Sequence, residues 1–245
     1  MFEVLLSGGA PATKTVYPNS GPGPQTLLLG DENIGYFGEL SAGEVITNAD
    51  LKAFLNPSMQ SSVMVDKGWF KCFHKGKVKF ISKGGTFTNT AWTALYASGG
   101  VYGTNDNGLY PIGTATNQYK PFNITNGPVT WKLIPKLMSG GQNDPSSSSP
   151  GDDGSEYTDL MYRMFTGTHP NGGAFLKYLK ADVAMNSAHA CVESKDTLTT
   201  STIVRGYTGV ISNSAQVLTK GDRSGYGQIC RMVLVVEGDP KVLPV

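Results

Sequence analysis

Trp69-Phe70-Lys71-Cys72-Phe73-His74-Lys75-Gly76-Lys77-Val78-Lys79-Phe80-Ile81-Ser82 decides the fold class of this chain. Two runs rich in aromatic and β-branched residues flank a Lys-Gly dipeptide, which is the length and composition of a tight two-residue turn. The stretch therefore reads as a β-hairpin. Downstream, Asn89-Thr90 is expected to cap a short helix carrying Trp92, Leu95 and Tyr96, and Gly99-Gly100 to stop it. A strand follows at Trp131-Lys132-Leu133-Ile134-Pro135. Residues 140–151, all Gly, Gln, Asn, Asp, Pro and Ser, have no apolar side chain to anchor them and read as an exposed loop.

After that loop, Asp153 precedes Glu156 by three residues, a variant of the capping box. Tyr157, Leu160, Met161, Met164 and Phe165 then recur at i, i+3, i+4, i+7 and i+8, the spacing of an amphipathic helix. Residues 188–193, 202–205 and 210–211 are short β-prone runs. Residues 231–237 are apolar without alternation, as a strand covered on both faces should be. Strands and short helices mixed in this way predict an α+β domain over residues 63–245.

Residues 1–62 read differently. Gly8-Gly9-Ala10-Pro11 and Pro18-Asn19-Ser20-Gly21-Pro22-Gly23-Pro24 remove backbone donors and favour turns, so this part is expected to be an extended arm. Leu27, Leu28, Leu29, Tyr36 and Phe37 are its candidate docking contacts, and a short helix capped near Thr47 or Asn48 carries Leu51, Phe54 and Leu55 before Asn56-Pro57. Such an arm would be ordered only on a partner surface, where burial offsets the loss of chain entropy.

Composition narrows the function classes. The chain has 20 basic and 19 acidic residues, a formal charge of +1 that argues against a nucleic-acid partner held by bulk basicity. No apolar run approaches the roughly 18 residues of a membrane span, and the N-terminus lacks the pattern of a secretory signal. Charged residues make up 16% of the chain, against roughly 25% in an average domain; part of the surface should therefore pack against other copies or other proteins. The 31 glycines and 14 prolines predict many tight turns.

Candidate chemistry is sparse. His74, His169 and His189 are far apart and lack the spacing that presents two nitrogens to a metal from one helix face. Asp144, Asp152, Asp153, Glu156 and Asp159 cluster without the alternating pattern of a calcium loop. Arg205 and Arg231 lie in apolar strand contexts and should be paired, with Glu193 or Glu156 as internal partners or with a ligand. Cys72, Cys191 and Cys230 read mostly as buried thiols, with Cys191 and Cys230 able to meet if their strands are neighbours. No metal, cofactor or catalytic residue is assigned.

The order of motifs resembles that of structural proteins of tailed bacteriophages. The resemblance is carried by Gly21-Pro22-Gly23-Pro24-Gln25-Thr26-Leu27, Gly35-Tyr36-Phe37-Gly38-Glu39, Trp69-Phe70-Lys71, Thr90-Ala91-Trp92-Thr93-Ala94-Leu95, Gly99-Gly100-Val101-Tyr102-Gly103 and Gly154-Ser155-Glu156-Tyr157. More distantly, Glu156-Tyr157, Arg205-Gly206 and Arg231-Met232-Val233 resemble the C-type-lectin-like fold as used by formylglycine-generating enzymes. The chain departs from the phage pattern at Ala190, where Trp is usual before the cysteine, and before Arg231, where an aromatic is usual. The resemblance implies a C-type-lectin-like domain in a non-enzymatic virion protein of the tail, neck, collar or head decoration. It implies synthesis in the bacterial cytoplasm and partners that are copies of itself and other virion proteins. The second expectation is a glycan-binding adhesion module, with Tyr110, Tyr119 and Phe122 as stacking residues.

Overall fold

The computed structural model describes residues 15–56, 59–109, 111, 113–141, 154–163, 189–194, 201–205, 216–222 and 229–242. The Lys75-Gly76 turn is where expected: strands β4 (Trp69–His74) and β5 (Lys77–Ser82) pair along their whole length. Both turn residues have positive φ, 52° at Lys75 and 72° at Gly76, the conformation whose twist matches the strands it joins. A lysine there is disfavoured on its own. The turn is held from outside, Lys75 N–H donating to Asn33 O (2.9 Å) and Gly76 N–H to Glu32 O (2.8 Å).

Those acceptors belong to the turn between β1 (Leu29–Gly30) and β2 (Ile34–Leu40). With β7 (Phe122–Asn126), β8 (Val129–Leu137) and β13 (Met232–Val236) they complete a seven-stranded antiparallel sheet in the order β1-β2-β4-β5-β13-β8-β7. A second sheet runs β11 (Gln216–Asp222), β10 (Ser201–Arg205), β9 (His189–Ser194), β12 (Ile229–Cys230), β6 (Phe87–Thr88) and β3 (Ser62–Val63). Helices are short: α1 (Ala42–Val45), α2 (Asn48–Leu55) and α3 (Trp92–Ala97), with a π-helix at Tyr157–Tyr162. The class is mixed α+β. No helix among the described residues is long and apolar enough to cross a membrane.

The centre of the seven-stranded sheet, β2, β4, β5 and β13, is covered on both faces. Alternate residues of β4 and β13 enter two different clusters. Trp69, Phe73, Met232, Leu234 and Val236 pack with α2 and α3 through Leu51, Leu55, Trp92 and Leu95. Phe70, Cys72 and Val233 pack with Tyr157, Leu160 and Met161 of the π-helix. The unalternating apolar run at the end of the chain is explained by this double cover.

The arm expected over residues 1–62 is corrected by the packing over residues 15–56, while residues 1–14, 57 and 58 lie outside the described residues. Residues 15–56 are built into this domain: β2 pairs with β4, strand alternation sends Tyr36 and Phe37 into the two opposite clusters, and a bulge between Tyr36 and Gly38 brings Leu40 back to the Phe37 side. Tyr36 is 2% and Phe37 0% exposed, so neither can be a docking contact; each stabilises this chain's own core by roughly 1.5 to 3 kcal/mol. Leu27 is half-buried against the same core and Leu29 half-buried in β1, whereas Leu28 remains open at 59% exposure.

The Gly-Pro-Gly-Pro phrase is a strap laid on the sheet. Gly21 (φ +87°) sits so close to the Phe80 ring that a Cβ would lie 2.8 Å from it, and Gly23 (φ +78°) faces Leu40 at 2.5 Å. Only glycine fits both the backbone conformation and the contact. The strap closes around Lys71, whose Nζ donates to Ser20 Oγ (2.9 Å), Gly21 O (3.2 Å), Pro22 O (3.0 Å) and Pro24 O (2.6 Å). The ammonium also lies over the Phe37 ring, 4.9 Å from its centroid.

Other expectations shift at their ends. Thr47 caps α2 through a hydrogen bond from Asp50 N–H (3.1 Å), as the sequence suggests. Helix α3 begins after Ala91, with no side-chain cap from Asn89 or Thr90, and ends at Gly99 with φ +79°. The amphipathic helix expected from Tyr157 is a π-helix over its described residues, and Met164 and Phe165 lie outside them. Its wider turn lets Glu156, Tyr157, Asp159, Leu160 and Met161 all be buried against the sheet.

Candidate functional site

Five ionisable side chains form one chain beneath the π-helix. Glu156, fully buried, receives Lys79 Nζ on Oε1 (2.7 Å), Lys136 Nζ on both oxygens (2.9 Å each) and Ser139 N–H on Oε2 (2.7 Å). Lys79 Nζ also reaches His74 Nδ1 (2.9 Å), and His74 Nε2 meets Asp159 Oδ2 at 3.0 Å. An ammonium can only donate, so His74 accepts at Nδ1 and carries its proton on Nε2 toward Asp159. Gly154 N–H and Ser139 Oγ tie the helix start to the same place, at 3.1 Å to Asp159 Oδ1 and 2.9 Å from Glu156 N–H.

Burial alone would raise the Glu156 carboxyl, but Lys136, Lys79 and the Ser139 N–H outweigh it and hold the group well below the carboxylate range. Asp159 is lowered likewise, burial being overcome by His74 and Gly154. Burial lowers His74, with Lys79 adding to the effect and Asp159 opposing it. Geometrically His74, Asp159 and Lys79 could pass a proton. Yet His74 is 2% and Asp159 5% exposed, so both groups face protein. The arrangement is an ionic lock between helix and sheet.

Its pH dependence has a definite sign. Glu156 and Asp159 are depressed, so their contribution is complete above their ordinary values of 4.5 and 3.8 and is lost as pH falls through the folded values. His74 is depressed below 6.5, so the unfolded chain takes up its proton first and stability starts to fall below that pH. Urea midpoints measured from about pH 6.5 down to pH 3 should decline throughout. His74→Gln should flatten the first part of the decline, between about pH 6.5 and 5; a wild-type profile flat to pH 4 would contradict the lock.

The remaining sequence expectations fall as follows. Of the five clustered acids, Glu156 and Asp159 are bound to lysine and histidine, and Asp144, Asp152 and Asp153 lie outside the described residues. Among the described residues no group of His, Cys, Asp and Glu could hold a metal ion. The pairing of Arg231 with Glu156 is corrected: Arg231, fully buried, donates from Nη1 to Ser82 O, and burial lowers its guanidinium to about 9. The side chains of Arg205 and Glu193, and His169, lie outside the described residues. Cys72 and Cys230 are buried free thiols, and Cys230 stands opposite Ala190 in the β9–β12 ladder, one residue away from Cys191.

Tyr110 lies outside the described residues. Tyr119 is half-buried with its hydroxyl donating to Glu237 Oε1 (2.5 Å), and Phe122 is half-buried against Phe54, ring centroids 5.2 Å apart. Sequence reasoning missed the buried Gln118, which locks the polar loop beside them: its Nε2 donates to Tyr96 O (3.0 Å) and Thr116 O (2.9 Å), and its Oε1 accepts from Val101 N–H (3.1 Å). It also missed Lys71, although a lysine inside Trp-Phe-Lys-Cys-Phe was a signal.

Comparison with protein-family models, curated proteins and solved structures gives no match. Open clefts occur among the described residues. One, about 530 Å³, lies against Tyr17, Leu27 and the Asp31-Glu32-Asn33 turn. Its Glu32 is engaged by the Tyr17 hydroxyl (3.1 Å) and Lys241 (3.0 Å).

Proposed function

We propose that the chain is a non-enzymatic structural protein of a tailed-phage virion, in the tail, neck or collar or as a decoration, with a C-type-lectin-like domain. The observation that carries the non-enzymatic part is the mostly buried chain from Asp159 to Lys136, whose acid–base groups are spent on holding the helix to the sheet. The virion part is supported by the order of sequence motifs described above.

Attachment differs from a 62-residue tether. Residues 15–56 already have a core, so attachment falls to residues 1–14 and to exposed loops. Deleting residues 2–14 should leave urea stability within about 1 kcal/mol of wild type while abolishing incorporation into particles. Normal incorporation of the shortened chain would overturn the assembly reading. A glycan-binding role is the second reading, supported by the loop that Gln118 locks, which presents Asn105, Asn107 and Asn117 to solvent. Binding on a glycan array that Asn117→Ala removes would favour it over assembly.

A further inference from the structure

The sequence holds three Asn-Gly pairs, at 107–108, 126–127 and 171–172, and the last lies outside the described residues. Asparagine followed by glycine can modify itself. The backbone nitrogen of the glycine is one five-membered ring away from the asparagine side-chain amide carbon, and glycine puts no side chain in the way. Ring closure needs a nitrogen free of other bonds and a peptide plane able to turn. The two described pairs differ in both respects.

Asn107-Gly108 is held. Gly108 N–H donates to Asp106 Oδ1 (2.8 Å), and the Asn107 carbonyl of the same peptide accepts from the Tyr96 hydroxyl (2.7 Å). Gly108 also lies against the Tyr102 ring. That peptide cannot rotate without breaking both bonds. Asn126-Gly127 has none of these ties. It opens the turn between β7 and β8, where Asn126 and Val129 form the last pair of the ladder. Both Asn126 and Gly127 are exposed, and Gly127, at φ +60°, has open space where a Cβ would stand. Neither its N–H nor the Asn126 side-chain amide has a hydrogen-bond partner among the described residues.

We propose that Asn126 is a site of spontaneous deamidation, with the Gly127 nitrogen as nucleophile and water as the only co-reactant. Gly127 N gives its proton to solvent and bonds to Asn126 Cγ; the Cγ–Nδ2 bond breaks, and Nδ2 leaves as ammonia and takes up a proton. Water then opens the cyclic imide. Breaking the new bond between Gly127 N and Cγ gives aspartate. Breaking the bond between Gly127 N and the Asn126 carbonyl carbon gives isoaspartate, whose main chain runs through the former side chain. One amide and one water have become one carboxylate and one ammonium. Aspartate keeps the register of β7, whereas isoaspartate adds one carbon to the backbone, so the Asn126–Val129 and Thr125–Thr130 pairs cannot both be kept. Either product puts a carboxylate on the cleft that Glu44 also lines. The site is independent of the assembly reading.

To test this, the purified full-length chain is aged at mildly alkaline pH and its digests are followed by mass spectrometry. Peptides covering residue 126 should gain aspartyl and isoaspartyl forms at least about tenfold faster than peptides covering residue 107. In urea, with the fold lost, the two sites should react at similar rates. Asp106→Ala, which frees Gly108 N–H, should bring residue 107 toward the rate of residue 126. The aged chain should lose hydrogen-exchange protection over residues 122–130, while freshly made Asn126→Asp keeps it. Three results overturn the proposal: Asn126 intact in the folded chain although it reacts in urea, equal rates at the two sites before unfolding, or an Asp106→Ala chain in which residue 107 stays inert.

Discussion

Glu156→Gln should destabilise the protein by about 3 to 5 kcal/mol, the range for removing one partner of a buried ion pair. The substitution is nearly isosteric, so the loss does not come from packing. It leaves Lys79 and Lys136, 12% and 14% exposed, facing each other across a neutral amide, and it removes the charge to which Ser139 N–H donates. The π-helix should loosen first, since Glu156 is its first anchor; near-UV ellipticity and exchange of the amides of residues 154–163 report that directly. Replacing the whole cluster by Glu156→Leu, Lys79→Met and Lys136→Met should recover most of the loss, because no charge is then left uncompensated. A Glu156→Gln protein within about 1 kcal/mol of wild type by urea unfolding would refute the lock. The exposed pair Lys132–Glu237, 48% and 38% open, is the control: Glu237→Gln should cost no more than about 1 kcal/mol.

Why Glu156 was misread in the sequence is instructive. Glu156 three residues after Asp153 satisfies a local pattern, and local patterns are what periodicity and capping rules detect. Its actual partners lie 77 and 20 positions away, at Lys79 and Lys136, and nothing in the spacing of one charge to another encodes such a meeting. The β4–β5 hairpin, α2 and the last strand were legible because short-range features specify each of them: a turn dipeptide, an N-cap or an apolar run. Residues 15–56 were misjudged for a related reason. Glycine and proline reveal what a backbone can do, and Tyr36-Phe37 reveals that something covers both sides of a strand. Neither reveals whether the cover is this chain or another. The bulge that returns Leu40 to the Phe37 face, and Gly21 and Gly23 against Phe80 and Leu40, become meaningful only once β2 and β4 are neighbours.

Lys71→Met should cost about 2 to 4 kcal/mol, and its effect should begin in the strap. Four oxygens accept from one ammonium that has three protons to give. Replacing it with a thioether of similar length leaves Pro22 O and Pro24 O without their donor, at about 1 to 3 kcal/mol for each group left unsatisfied, whereas Gly21 O keeps the Gln25 Nε2 hydrogen bond (2.8 Å). Partly offsetting this, the variant no longer carries a desolvated charge. That charge is also visible in the pH dependence: burial lowers the Lys71 ammonium from 10.5 to about 7. The unfolded chain therefore holds the proton over a range in which the folded one releases it, and wild-type stability should rise with pH between about 7 and 10. Lys71→Met should remove this rise. Lys71→Arg should not restore the fold, because a planar fork cannot replace a tetrahedral donor inside a ring of oxygens. Hydrogen exchange is the deciding measurement: amides of residues 17–26 in Lys71→Met should lose protection while those of β4 and β5 keep theirs. Were both sets to exchange together, the strap would be an inseparable part of the core and not a segment held by one side chain.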